Sequence, residues 1–229
     1  MGSIAIVGGT GPEGLGLGLR LALSGEQVRV GSRKLERAAA AAERANERLR
    51  AARCRTVISG HENRDAIESA DLVVLAFPWE GVEGLLPRLA PQLRGRLVLE
   101  VVNPLVRENG IFRTRPVGAG SAAETIQALL PEARVVSGFK NQSAEELVDL
   151  THPLAGDVLV CSDHADARAR VMDLVTRLPH LRPVDAGRLV NARSLEAITA
   201  LLLNLNRRHR AITSIQILGL DRSAPHRGA

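Results

Sequence analysis

The sequence is poor in aromatic residues: its 229 residues include three phenylalanines, one tryptophan and no tyrosine. Proteins that bind single-stranded nucleic acid stack bases on aromatic side chains placed among basic residues. The net charge of +5 is spread along the chain, a pattern that suits an anionic small molecule as well as it suits nucleic acid. Because the aromatic residues are missing, we predict no nucleic-acid partner.

Long apolar runs and closely spaced cysteines are also missing. Apolar stretches such as 72–77 fall far short of the roughly 20 residues that span a bilayer, and the chain opens on a strand-like segment instead of a targeting sequence. Cys54 and Cys161 belong to no zinc or redox motif, and the six histidines show no metal-ligand spacing. We therefore predict a cytoplasmic protein with no membrane association, no disulfide and no metal.

Short apolar segments alternate with helical patterns as far as about residue 142. Strand patterns cover 3–7, 27–30, 56–59, 72–77, 97–101 and 134–138, and helical patterns cover 12–24, 33–51, 64–69, 79–93 and 121–130. This alternation predicts parallel strands joined by crossover helices, and the continuous apolar strands indicate a sheet covered on both faces. We predict an α/β fold with a Rossmann-type doubly wound parallel sheet over residues 1–142.

The pattern changes after residue 143 and predicts a second, smaller α/β domain over 143–220. Its helical segments are 144–150, 165–178 and 191–208, its strands are 157–161 and 182–185, and residues 221–229 are predicted to form a flexible tail. The last helix carries a broad apolar face that includes Leu201 and Leu203. We predict that part of this face is covered by a second subunit in a homodimer.

A glycine-rich turn directly follows the first strand and directly precedes the first helix. Gly9, Gly11 and Gly14 fill the pattern G-x-G-x-x-G, in which the glycines permit a tight turn, a close approach to a pyrophosphate and close helix packing. Free amides at the helix start would face the anion. We assign cofactor binding to Gly9, Thr10, Gly11, Pro12 and Glu13.

The end of the second strand indicates which dinucleotide is bound. NAD-selective sites place an acidic residue there, whereas this chain reads Val30-Gly31-Ser32-Arg33-Lys34, with Arg37 one turn later. A hydroxyl and several cations suit the 2′-phosphate of NADP, and Ser32 could also cap the second helix. The alternative is that these cations are ordinary solvated helix charges.

Two more turns follow predicted strands and are expected at the same edge of the sheet, where ligands of open parallel sheets bind. Phe77, Pro78 and Trp79 end one strand, and Asn103 and Pro104 follow the next. We assign the first three and Asn103 to the cofactor, and Pro104 to the substrate side. The alternatives are an ordinary helix start for Trp79 and a capping role for Asn103.

These motifs together resemble those of the NADPH-dependent F420 reductase family (F420H2:NADP oxidoreductase), in order and over residues 3–220. The segments that carry the resemblance are Gly8-Gly9-Thr10-Gly11, Val30-Gly31-Ser32-Arg33, Pro78-Trp79-Glu80, Asn103-Pro104-Leu105, Val184-Asp185-Ala186-Gly187, Asn191-Ala192-Arg193 and 202–208. The resemblance implies a Rossmann domain for NADP, a small C-terminal domain and homodimerisation. It also implies hydride exchange with the deazaflavin F420 between the domains, and NADP contacts at Thr10, Ser32, Arg33 and Arg37.

One segment departs from the family. Similar family members carry a histidine in a Phe-His-Asn-type segment beside the deazaflavin, whereas this chain has Phe139-Lys140-Asn141-Gln142. We predict that Lys140 is catalytic, donating to the pyrimidine carbonyls of the deazaflavin, and that Asn141 and Gln142 lie on the substrate side. The lysine could instead mark another acceptor, such as a flavin, a carbonyl or an imine, or be a solvated residue at a strand end. A non-catalytic NADP-binding protein is a further alternative.

Overall fold

Six short strands pair side by side as one parallel sheet in the computed structural model, which describes residues 2–220. Along the sheet the strands are β3 (Ser59–Glu62), β2 (Gln27–Ser32), β1 (Ser3–Val7), β4 (Leu72–Leu75), β5 (Leu97–Glu100) and β8 (Arg134–Ser137). The chain winds outward from β1 on one side and from β4 on the other, which is the doubly wound topology. The predicted Rossmann-type α/β fold is confirmed, and the predicted tail at 221–229 lies outside the described residues.

Eight helices are found in the described part of the chain. They are α1 (Pro12–Leu23), α2 (Leu35–Ala51), α3 (Asn63–Glu68), α4 (Val82–Leu93), α5 (Ala122–Leu129), α6 (Ala144–Val148), α7 (Ala165–Thr176) and α8 (Ala192–His209), with short 3-10 turns before α4 and α8. Ser121 and Ser143 cap α5 and α6, because each hydroxyl accepts the amide three residues later. Within residues 2–220, no helix combines the length and the apolar composition needed to cross a bilayer.

The two faces of the sheet carry separate apolar clusters. Alternate residues of β1 supply both: Ile4 and Ile6 pack with α1, α2 and α7, while Ala5 and Val7 pack with α3, α4 and α5. This arrangement follows from the two-residue period of a strand, which sends successive side chains to opposite faces. Fully buried strands of this kind are typical of parallel sheets covered on both sides.

The C-terminal part of the chain continues these layers. Strands β9 (Gly156–Val160) and β10 (Leu181–Asp185) form a parallel pair, and an antiparallel bridge joins Ser137 to Cys161. Val158 and Val160 belong to one apolar cluster and Leu159 belongs to the other. Residues from both sides of position 143 therefore share the core, and the division into domains at 142 stays a prediction.

A β-hairpin was missed in the sequence. Strands β6 (Leu105–Glu108) and β7 (Ile111–Thr114) pair in antiparallel fashion around Asn109 and Gly110. Both turn residues have positive φ, 49° and 80°, as a two-residue hairpin turn requires. The Asn-Gly pair was therefore a readable local signal.

Two expectations about the second and third strands were wrong. Ser32 does not cap α2, because β2 runs through Ser32 and the helix begins after Lys34. The third strand occupies Ser59–Glu62 instead of 56–59. It pairs with the end of β2, where Ser32 lies opposite Glu62, so tertiary pairing sets its position more than its local apolar character does.

Glycine is required where α1 meets α6. A Cβ at Gly16 would lie 2.6 Å from Leu147 Cβ, whereas a Cβ at Gly84 in α4 meets nothing within 4 Å. We expect Gly16→Ala to lower the free energy of unfolding by about 1–3 kcal/mol, because the helices must separate. The matched control Gly84→Ala is expected to raise it by up to about 1 kcal/mol. Urea unfolding of both variants checks this; equal effects would contradict the close packing.

Candidate active site

All the predicted site residues lie at one edge of the sheet, because the parallel strands β1, β2, β4, β5 and β8 all end there. Five of them, Glu13, Asn103, Lys140, Asn141 and Gln142, line a cavity of about 560 Å³. The predicted residues that follow β2 and β4 lie outside the lining of this cavity. The edge therefore presents a turn region around β1, β2 and β4 and a cavity around β5, β8 and α8.

The glycine turn after β1 has the shape needed to hold a pyrophosphate. A Cβ at Gly14 would lie 2.9 Å from Gly9 Cα, and a Cβ at Gly9 would lie 2.9 Å from Ile6 O, so both glycines are needed for packing. A Cβ at Gly11 would meet only Gly8 O, at 3.8 Å, which leaves an open face above the turn. No side chain caps α1, so its first-turn amides are available to an anion. The residues present fit a dinucleotide here.

The turn after β2 carries three cationic side chains that form no ion pair with other residues of the described chain. Ser32 is buried, and its Oγ accepts the Lys34 amide at 3.4 Å, which leaves the hydroxyl proton free to donate. Arg33, Lys34 and Arg37 are exposed, and no salt bridge engages them within residues 2–220. This is a combination that suits a dianionic phosphate.

The turn after β4 is partly committed to packing. Phe77 and Trp79 are half-buried against the apolar cluster on the α3–α5 face, whereas Pro78 is exposed. Trp79 opens the 3-10 turn that leads into α4. Packing therefore accounts for much of the apolar surface of both aromatic side chains, and their contact with a cofactor stays a prediction.

A hydrogen-bond network links the turn after β8 to α8 and to the end of β5. Lys140 O accepts from Asn103 Nδ2 at 3.1 Å and from Thr199 Oγ1 at 3.0 Å, and Asn141 Nδ2 donates to Thr199 Oγ1 at 2.9 Å. Gln142 is also tied down, since its Nε2 donates to Asp157 O at 3.3 Å. These groups form the floor of the cavity. Thr199 was missed in the sequence because only tertiary packing brings α8 to this turn.

The hairpin forms one wall of the cavity and is held to α8. The Asn204 side-chain amide pairs with the backbone of Phe112, accepting its N–H and donating to its C=O, both at 2.8 Å. Arg207 donates to Gly110 O. Pro104, predicted on the substrate side, is buried and is not among the cavity-lining residues. In its place the hairpin contributes Arg107 and Phe112 to the lining.

The side chain of Lys140 does not point towards the substrate side, where the sequence analysis placed it. Its side chain is 0% exposed, and its Nζ lies 2.9 Å from both carboxylate oxygens of Glu100 and 3.2 Å from Glu196 Oε1. It also donates to Val102 O. Only the backbone of Lys140 can reach the cavity, so the expectation of an ammonium that donates to the hydride acceptor, and the alternative of a solvated lysine, do not match this position.

Glu100 and Glu196 were not identified from the sequence, although a signal was present. Glu100 ends an otherwise apolar strand, and Glu196 falls among the buried positions of α8. Burial raises the pKa of Glu196, and the Glu100 carboxylate adds to this effect while Lys140 opposes it. A carboxyl group on the buried stripe of a helix indicates a buried partner, because unpaired buried charges are strongly unfavourable.

Glu13 is the other unusual carboxyl group of the cavity. It stands in the first turn of α1, partly exposed where it lines the cavity, and burial raises its pKa to about 8. Near neutral pH the group is therefore largely uncharged, and it does not repel an anion at the glycine turn. Its place beside that turn agrees with its assignment to the cofactor, which stays a prediction.

The fold and the turns at this edge define a Rossmann-type, dinucleotide-dependent oxidoreductase. A family profile described as NADP oxidoreductase, coenzyme F420-dependent, matches residues 3–104. The F420-dependent NADP reductase of Methanocaldococcus jannaschii is 39% identical over 95% of this chain and 99% of its own length. That of Methanothermobacter marburgensis is 38% identical over 90% of this chain and 93% of its own. The chain belongs to the family of F420-dependent NADP oxidoreductases.

A solved structure agrees with this assignment. A protein from Arthrobacter sp. FB24, provisionally named an F420-dependent NADP reductase, superposes with a TM-score of 0.80 at 26% identity. The match covers 96% of this chain and 100% of the other. The likeness thus extends past the nucleotide-binding half of the sheet to α8 and the cavity it lines.

The raised pKa of Glu13 makes stability depend on pH. The folded state holds this proton more tightly than the unfolded chain, so the free energy of unfolding should fall as pH rises from about 4.5 towards 8 and then level off. We expect Glu13→Gln to match the wild type at pH 4 and to be the more stable protein at pH 9. Urea unfolding at both pH values checks this.

The matched control is Glu145→Gln, which changes an exposed glutamate beside the same cavity. The difference in free energy of unfolding between this variant and the wild type should be the same at both pH values. If Glu13→Gln behaves like this control, the Glu13 carboxyl is not held in its neutral form by burial.

Proposed function

We propose that this protein transfers a hydride between NADP(H) and the deazaflavin F420. The observation that carries the proposal is the placement, at one sheet edge, of an open glycine turn, a cluster of unpaired cations and a cavity of about 560 Å³. The first two suit the pyrophosphate and the 2′-phosphate of NADP, and the cavity has the volume of a typical small-molecule site. The names of the full-length relatives support F420 as the second substrate.

In this proposal the protein binds and orients, while the bound nicotinamide and deazaflavin supply the redox chemistry. The amides of α1 and the cations after β2 fix the dinucleotide at its phosphates. The floor made by Asn103, Asn141 and Thr199 offers fixed hydrogen-bonding groups in a recess between α8 and the sheet. Holding two rings at reactive distance in such a recess is the main contribution that a protein makes to this kind of reaction.

The buried position of Lys140 bears on the alternative acceptors. A flavin, carbonyl or imine substrate was considered because a lysine could supply a cationic donor. Since the ammonium is enclosed by Glu100, Glu196 and Val102 O, Lys140 supplies no such donor to the cavity. The reason that Lys140 gave for considering those acceptors therefore no longer applies, and the cations of the cavity lining are Arg107 and Arg207.

We also propose that the protein is a homodimer that associates through the outer face of α8. Leu201 is 56% exposed, and Leu205, one turn later on the same face of the helix, is only half-buried. Ile111 on the neighbouring hairpin and Ile212 after α8 are exposed as well. Burial of these side chains by a second copy would account for the breadth of the apolar face. The cytoplasmic location stays a prediction.

Acceptor assays test the proposed reaction. We expect the purified protein to oxidise NADPH in the presence of F420, with loss of the visible absorbance of the deazaflavin, and to give no turnover with FMN or a cyclic imine. Turnover of the flavin or the imine but not of F420 would reject the proposal. Tight NADPH binding without turnover of any acceptor would also reject it and would favour a non-catalytic NADP-binding protein.

Cofactor selectivity tests the turn after β2. We expect the double variant Ser32→Asp with Arg33→Ala to lose roughly 10–100-fold in affinity for NADP relative to NAD, because a charge-assisted phosphate contact is replaced by repulsion. Calorimetry with both dinucleotides measures this ratio. Arg44→Ala, which removes an exposed arginine further along α2, is the matched control. An unchanged ratio in the double variant would contradict the 2′-phosphate assignment.

A further inference from the structure

Beneath the floor of the cavity lies a buried charge cluster that binding of the dinucleotide does not explain. It consists of Lys140, from the turn after β8, Glu100, at the end of β5, and Glu196, on α8, and all three side chains are 0–1% exposed. Each carboxylate also accepts a backbone amide: Val102 N–H donates to Glu100 Oε2 and Ala122 N–H donates to Glu196 Oε1, both at 3.0 Å. The cluster thus joins three separate elements of the fold.

The charges of the cluster do not balance if both carboxyl groups are ionised. One ammonium faces two carboxylates, Glu100 Oε1 contacts only that ammonium, and Glu196 Oε2 has no hydrogen-bond partner in the described structure. An uncompensated buried charge is strongly unfavourable, so one carboxyl group should retain a proton. Burial raises the pKa of Glu196, which is the direction that keeping this proton requires. The nearby Cys161 thiol does not alter the balance, because burial raises its pKa to about 12 and keeps it neutral.

The backbone beside Lys140 is strained. Phe139, a bulky residue, has a φ of 55°, in the left-handed region that such side chains rarely adopt. Its ring is only 1% exposed, and its carbonyl accepts the Gln142 amide at 3.3 Å. Strained residues persist where their surroundings hold them in place. Here the Phe139 ring is held by the core and the following side chain by two carboxylates.

The same turn supplies the groups that face the cavity. The carbonyl of Lys140 receives hydrogen bonds from Asn103 and Thr199, and Asn141 donates to Leu195 O and to Thr199. If the ammonium were removed while both carboxyl groups remained, the uncompensated charge would disturb the turn, and the carbonyl and amides of the floor would move with it. The buried side chain of Lys140 and the floor of the cavity are therefore parts of one turn, and a change in one displaces the other.

We propose that Lys140 is a positioning residue: held between Glu100 and Glu196 in a charge-balanced cluster, it locks the 139–142 turn and so sets the floor on which the hydride acceptor rests. It touches neither substrate. The part that concerns the acceptor rests on the proposed function, whereas the locking of the turn does not.

Variants that change the charge of the cluster test this proposal. Lys140→Met leaves two buried carboxyl groups without a cation, and we expect a lower Tm and a KM for F420 raised about tenfold or more, since small displacements of positioning groups have effects of this size. The triple variant Lys140→Met, Glu100→Gln, Glu196→Gln is neutral throughout. It should recover most of the Tm and most of the KM, because replacing a whole buried ion cluster is tolerated far better than breaking it.

The other lysine of the chain provides the matched control. Lys34→Met should raise the Kd for NADPH about tenfold, through loss of a phosphate contact, and leave the KM for F420 little changed. Lys140→Met should do the reverse, with a Kd for NADPH within about threefold of the wild type. A triple variant that is stable but has the KM of Lys140→Met would overturn the proposal, because it would mean that the ammonium itself acts on the acceptor. Wild-type Tm and KM in Lys140→Met would overturn it as well.

Hydrogen exchange separates this proposal from the proposed function. The Gln142 amide should exchange faster in Lys140→Met than in the wild type, and its protection should return in the triple variant. If Lys140→Met does not fold, protection of Gln142 in the triple variant still tests the lock, and wild-type exchange there is the expected result. Failure of the wild type to reduce F420 would reject the proposed function alone, whereas unaltered exchange at Gln142 in Lys140→Met would reject the lock alone.

Discussion

The parallel pairing of β1 with both β2 and β4 is the constraint on which the rest of the site depends. Val7 lies opposite Gly31 on one side and Leu75 on the other, so the three chains leave the sheet at the same level, spaced by the roughly 4.8 Å between neighbouring strands. The helices that follow β1 and β4 pack on opposite faces, which opens a crevice between the two turns. A ligand placed there meets amides and cations without any long loop, because the pairing has already brought them together.

The acceptor side of the edge depends on a different kind of interaction. Ala192 and Leu195 attach α8 to the core through apolar contacts, which are strong but set direction only loosely. The ammonium of Lys140 has acceptors on Glu100 at the end of β5, on Val102 after it and on α8, so it fixes orientation as well as proximity. A buried ion cluster is weak evidence for stability in itself. Its contribution here is geometric, since the turn that it holds is also the floor of the cavity.

Features that depend on residues close together in the sequence could be predicted from it, whereas features that depend on residues far apart in the sequence could not. The glycine turn, the cations after β2 and the strand ends were recognisable because each depends on residues a few positions apart and on the generic topology of a parallel sheet. The inward direction of Lys140 was not, because it is set by Glu100, 40 residues earlier, and Glu196 on the last helix. The hairpin at Asn109 is the exception, since its turn pair was a local signal that the sequence analysis did not use.

The edge of the sheet therefore has two parts, the nucleotide side and the acceptor side, and substitutions in one part need not affect the other. On the nucleotide side, strand pairing brings the turns together, and the side-chain hydrogen bond within the turn after β2 is local, from the Lys34 amide to Ser32. On the acceptor side, Asn103 contacts groups 37 and 96 residues away, and Asn204 holds a hairpin 92 residues from it. A substitution in the turn after β2 leaves the cavity intact, because Ser32, Arg33 and Lys34 are not among its lining residues. A substitution in the second shifts several elements at once, because the hairpin, the 139–142 turn and α8 share one hydrogen-bonded framework. Under the proposed function, acceptor specificity would therefore depend on that framework as a whole, whereas dinucleotide specificity would depend on the turn after β2.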